Sequence, residues 1–81
     1  MRFDILLFAG ARQAVSADRV TVDVPNGADI ATLRARLIEV APQLASLATR
    51  SRFAVDNRFV DDKHELRDGV EIALVPPVSG G

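Results

Sequence analysis

The chain has 81 residues, 48% of them hydrophobic and 26% charged, with a formal net charge of −1 and no cysteine. That composition fits one globular domain with just enough chain to bury a core unaided. It excludes a disulfide framework and a thiolate metal centre. Arg34, Arg36, Arg50 and Arg52 are scattered among acids. That is the pattern of a solvated surface, so no nucleic-acid partner is expected. The opening "MRFDILLFAG" lacks the long apolar run and cleavage signal of a secretory peptide. No stretch approaches the ~20 apolar residues that span a bilayer. A cytoplasmic location with no membrane partner is the expectation.

In chain order, "RFDILLFA" alternates as a strand, with Phe3, Ile5 and Leu7 on one face and Arg2, Asp4, Leu6 and Phe8 on the other. "GARQAVSADR" is turn-like, with room for one short helical stretch. "VTVDV" alternates again and places Val20, Val22 and Val24 toward the core, which predicts an antiparallel hairpin with a long connection. Asp29 is a good N-cap. From there Ile30, Leu33, Leu37 and Val40 recur at helical spacing, predicting one core-packed helix that stops near Ala41, before Pro42. "PQLASLATRS" reads as a crossover with an extra turn, Leu44 and Leu47 tucked beneath it.

"RFAV" and "RFV" are short strands about the turn "DN", and Leu66 pins the polar loop after them. Gly69 in "RDG" is free to take a positive φ. "VEIALV" is the last strand, with Val70, Ile72 and Leu74 on one face and Glu71, Ala73 and Val75 on the other. One helix across one sheet makes an α+β domain over residues 1–75, followed by a projecting tail over 76–81.

Side-chain chemistry is sparse. His64, with Asp61, Asp62 and Glu65, is the one cluster of ligand-type residues, and a lone histidine in a charged loop reads as a solvated turn, so no metal site is assigned. Ser79 has no histidine in reach. Gly27 and Gly69 stand in single-glycine turns and not in a phosphate-binding loop. Attention passes to "PPVSGG". Pro76 and Pro77 end the strand ladder and favour a stiff polyproline launch. Val78, Ser79, Gly80 and Gly81 extend the reach to about 20 Å. Two glycines leave the terminal carboxyl carbon open to a nucleophile and slim enough for a narrow channel.

Together "LLFAGAR", "VPNGADIATLRARL", "PQL", "FAVDNRFV" and "LRDGVEIALVPPVSGG" resemble the small, sulfur-carrier subunits of molybdopterin synthase, over nearly the whole chain. Val70, Asp56-Asn57 and "GARQAVSADR" depart from that pattern, and none of them touches the tail. The resemblance implies a ubiquitin-like β-grasp fold, with a mixed sheet, one main helix across it and a flexible C-terminal tail. It implies that Gly81 is adenylated by an E1-like enzyme using ATP and magnesium. Sulfur from a donor protein then yields a C-terminal thiocarboxylate. The tail delivers it to cyclic pyranopterin monophosphate inside the large synthase subunit, in a heterotetramer whose catalytic side chains belong to the partners. The chain itself binds no cofactor on this reading. Side-by-side pairing of the first and last strands, as in a β-grasp sheet, places Phe8 and Val75 near the tail's exit. With Phe59 they are the expected partner interface. The rival readings are a carrier for thiamin thiazole or tRNA thiolation, and a ubiquitin-like protein modifier. An enzyme acting alone is disfavoured for want of catalytic residues.

Overall fold

The structure, a computed structural model, describes residues 1–77. Five strands form one sheet: β1 (Arg2–Leu7), β2 (Arg19–Asp23), β3 (Arg52–Val55), β4 (Arg58–Val60) and β5 (Ile72–Val75), in the order β2-β1-β5-β3-β4. The β1–β2 and β3–β4 pairs are antiparallel hairpins. β5 lies between them, parallel to β1 and antiparallel to β3. Helix α2 (Ile30–Val40) is the main helix on the inner face, accompanied by α1 (Ala9–Val15), a 3₁₀ turn (Pro42–Leu44) and α3 (Ala45–Arg50). This is the β-grasp arrangement that the resemblance implies.

Strand parity holds throughout. Phe3, Ile5, Leu7, Val22, Phe53, Val55, Ile72 and Leu74 point inward and are buried. They meet Ile30, Leu33 and Leu37 of α2 in one core that also includes Leu44, Ala48 and Leu66. Asp29 caps α2 as expected. Its Oδ1 accepts from the Thr32 N–H at 3.0 Å and from the Thr32 hydroxyl at 2.9 Å. Those bonds, the backbone one first, hold the Asp29 carboxyl below its usual value.

The structure departs from the sequence expectations at five places. Val40 is not in the core stripe but 56% exposed, and Ala41 fills the inward slot. Position 41 falls back onto the line through 30 and 37 at 3.6 residues per turn, whereas 40 rotates off it. Residues 9–15 form an α-helix where a turn with room for a short helical stretch was expected, and residues 45–50 form another where the crossover was expected to hold an extra turn. The first strand ends at Leu7, because the Phe8 carbonyl turns to accept from the Ala11 and Arg12 N–H groups and starts α1. The last strand begins at Ile72, because the Glu71 N–H donates to Asp56 Oδ1 at 2.9 Å instead of joining a ladder. Arg34 is not a solvated surface arginine. Its guanidinium donates to the carbonyls of Ala48 and Ser51 and to Asp62, at 2.6–2.7 Å.

Candidate functional site

Parallel pairing of β1 and β5 is what builds the site. The register runs Ile5–Ile72, Leu6–Ala73 and Leu7–Leu74, so both strands end at the same pole of the sheet. One residue further, Phe8 follows the end of β1 and Val75 is the last residue of β5. Phe8 serves as backbone N-cap of α1 while its ring stays 42% exposed. Ala9 takes a left-handed φ of 45° at this junction, the sharp bend that turns the chain from strand to helix. Val75 is half-buried and pairs on its other side with Arg52 at the start of β3. Pro76 is half-buried and Pro77 exposed. Val78, Ser79, Gly80 and Gly81 lie outside the described residues.

On the sheet's outer face the registers compose a continuous band. Leu6 pairs with Ala73, Ala73 with Ala54, and Ala54 with Phe59, whose ring is 52% exposed on the edge strand. Arg19, opposite Leu6, closes the other end. The three predicted interface residues therefore share one face: Phe8 and Val75 at the exit pole, Phe59 across the sheet, and two alanines between them keeping the surface flat. The sequence reading missed Leu6, Ala54 and Ala73 as members. Their alternation in three short strands was the signal, but only the strand order joins them.

Arg52 was also missed. Its guanidinium carbon lies 4.1 Å from the centroid of the Phe59 ring. A strand offset of two positions across the hairpin brings the two together, and stacking holds the arginine along the face. At the opposite pole Asp56 and Asn57, both with left-handed φ (48° and 67°), make the tight β3–β4 turn. A groove of about 600 Å³ runs there between Val55, Arg58, Val60, His64, Arg67 and Val70, remote from the chain's exit.

The loop holding His64 acts as a brace. The carbonyls of Asp62 and His64 accept from the Ala31 and Ile30 N–H groups at 3.0 Å, satisfying donors that the start of α2 leaves free. Asp62 is engaged by Arg34, and Asp61 Oδ1 accepts from the Lys63 N–H at 2.9 Å. Among the described residues no three His, Cys, Asp or Glu side chains are grouped to hold a metal ion. No helix among them is long and apolar enough to cross a membrane.

Known proteins resemble this chain in sequence and in fold. Residues 5–81 match the ThiS family. The molybdopterin synthase sulfur carrier subunit of Chlamydomonas reinhardtii is 35% identical over 83 residues, with both chains fully covered. Its counterpart in Mycobacterium tuberculosis is 32% identical, over all of this chain and 99% of its own length. Among solved structures, the Haloferax volcanii SAMP1 superposes over both full chains with a TM-score of 0.86 at 24% identity. A chain from the Helicobacter pylori complex of subunits 1 and 2 of molybdopterin-converting factor does so with a TM-score of 0.69 at 23% identity. Those two establish the shared fold. The protein belongs to the ThiS family, among its molybdopterin synthase sulfur carrier subunits.

Proposed function

We propose that this chain carries sulfur for the synthesis of molybdenum cofactor, with Gly81 as the point of attachment. The match that runs through residue 81, and so through "PPVSGG", is the observation that carries the reading. A carboxylate is a poor electrophile, so its activation has to precede sulfur transfer. A carboxylate oxygen of Gly81 attacks the α-phosphorus of ATP on an E1-like enzyme that also holds magnesium, and pyrophosphate leaves. The terminal sulfur of a persulfide on a donor protein then attacks the acyl carbon of the mixed anhydride and AMP leaves. A thiol next attacks the donor-side sulfur of the resulting acyl disulfide, forming a disulfide with the donor and releasing the thiocarboxylate. Substrate side chains are not needed at any step on this chain, which suits its lack of cysteine. The thiocarboxylate next enters the active site of the large synthase subunit, where catalytic side chains of that partner pass sulfur to cyclic pyranopterin monophosphate.

The outer face supports the docking half of the reading. Phe8, Val75 and the band reaching Phe59 present apolar area beside the exit at Pro76 and Pro77, so a partner seated on them receives the tail directly. A cytoplasmic heterotetramer of two carriers and two large subunits completes the proposal.

The test is intact-mass measurement after incubation with the activating enzyme, ATP and a sulfur donor. The expected gain is that of one oxygen replaced by sulfur, lost on deletion of Gly81. No gain, or a gain that survives the deletion, overturns the assignment. The thiocarboxylated protein is then offered the large subunit and the pterin precursor. Formation of molybdopterin supports the reading, and its absence redirects it to thiazole or tRNA thiolation.

A further inference from the structure

The outer face changes sign of charge along the strand axis. At the exit pole stands Arg52, paired in register with Val75, and at the β2 end of the apolar band stands Arg19, paired with Leu6. Neither lies within ion-pair distance of a carboxylate among the described residues. The four ion pairs there use Arg2, Arg12, Arg34 and Arg36. One register step further from the exit stands Asp4, whose Oδ1 is held outward by the Thr21 hydroxyl at 2.6 Å. The continued β1–β5 register sets exposed Glu71 beside it. The apolar band thus has Arg52 on its exit side, Arg19 at its β2 end, and Asp4 and Glu71 on the side away from the exit.

The form of the cation matters. Arg52 stacks 4.1 Å over the Phe59 ring, so one guanidinium face is shielded while the N–H edges stay open to solvent. A stacked, pre-ordered guanidinium loses little entropy on meeting a carboxylate and binds it in bidentate geometry. At the other end of the band a depression of about 200 Å³, lined by Leu6, Phe8, Arg12, Asp18 and Arg19, has room for one side chain.

We propose that Arg52 and Arg19 are specificity determinants of docking: they pair with carboxylates on the large synthase subunit at the mouth of its active site and so fix which way round the carrier sits. This rests on the docking reading above. Because the face is apolar along its middle, its hydrophobic contacts alone distinguish poorly between the productive orientation and one reversed by 180°. In the reversed seat, Asp4 and Glu71 would meet the same carboxylates, and like charges are disfavoured there.

The experiment is titration of the purified large subunit with wild-type and variant carrier at about 50 and about 300 mM salt, where screening differs strongly. Arg52→Glu is expected to weaken binding at least roughly tenfold at low salt, with the gap narrowing at high salt. Arg52→Lys, which keeps charge without the planar fork, falls between. Arg19→Glu weakens binding less, and melting curves confirm that each variant is folded. Should Arg52→Glu fail to fold, Arg52→Gln and Arg19→Glu carry the test. Wild-type affinity and salt dependence for the charge-altered variants, while Phe8→Ala weakens binding, overturns this inference and leaves the docking face standing. Wild-type affinity for Phe8→Ala as well overturns the docking face itself. A defect confined to adenylation by the activating enzyme overturns the choice of partner.

Discussion

The Arg34 guanidinium lies 5.0 Å from the centroid of the Phe53 ring, and from that position it ties three segments together. Nη1 reaches the carbonyls of Ala48 and Ser51 at the end of α3, and Nη2 reaches Asp62 in the loop that braces α2. The side chain is only 18% exposed. It acts as a pin between the main helix, the crossover and the start of β3.

Arg34→Met should therefore remove three charge-assisted bonds while keeping most of the stem packing. Hydrogen bonds involving a charged partner are worth about 1.5–3 kcal/mol, and the orphaned carbonyls regain some water. A net loss of about 2–3 kcal/mol is expected, lowering the melting temperature by roughly 10–20 °C for a domain of this size. Arg34→Lys should recover only part of it, since one ammonium cannot span all three acceptors. Calorimetry on both variants checks this, and equal stability of wild type and Arg34→Met would contradict the pin.

Asp29→Ala should lower stability near neutral pH by removing the cap that Thr32 donates to. The folded-state pKa of Asp29 is lowered. Its contribution is therefore fully present above the unfolded carboxylate value of about 3.9 and is lost as pH falls through the lower folded value. The difference in melting temperature between wild type and Asp29→Ala should be constant from neutrality down to about pH 5 and shrink below pH 4. A difference that grows on acidification contradicts the cap.

Much of this architecture can be read from the chain, because period-2 alternation in four short runs and period-3.6 spacing after Asp29 are local signals. What could not be read depends on long-range partners. Val40 has the right spacing to be core from Ile30 onward, but the helix ends over open space and Ala41 takes the slot. Arg34 looks like any surface arginine until α3 and the 61–65 loop supply its acceptors, 14 to 28 residues away. On the outer face, the side of the sheet that Phe8 and Val75 take was legible from strand parity. Arg52 was not, because its contact with Phe59 is made across a hairpin.

Val40→Ser accordingly should change stability by no more than about 0.5 kcal/mol, as for other exposed positions. Leu37→Ala, one turn earlier and fully buried, should cost about 2–5 kcal/mol. Urea denaturation of the two variants side by side checks the inward face of α2, and a large effect at Val40 would reinstate it in the core.

Phe8→Ala should leave the melting temperature within a few degrees of wild type, since its ring is 42% exposed. Binding to the large subunit should weaken on the order of 30-fold, the scale of a central aromatic anchor worth about 2 kcal/mol. A marked loss of thermal stability with unchanged binding would place the ring in the core instead.

Asn57→Val should destabilise by about 1–2 kcal/mol, because a β-branched side chain resists the left-handed φ of 67° that the β3–β4 turn demands. Asn57→Gly should be tolerated. Melting curves of the pair distinguish backbone strain from any loss of side-chain contact, since both variants remove the amide.

The placement of β5 between the two hairpins makes the last strand a keystone. A chain cut short of Ile72 holds two separate hairpins, one from β1 and β2 and one from β3 and β4, with no ladder of strand hydrogen bonds to join them. Pro76 and Pro77 follow directly on the strand that locks the sheet. Shortening the chain from its end into β5 therefore removes the join between the hairpins and the outer-face position of Val75 in one step.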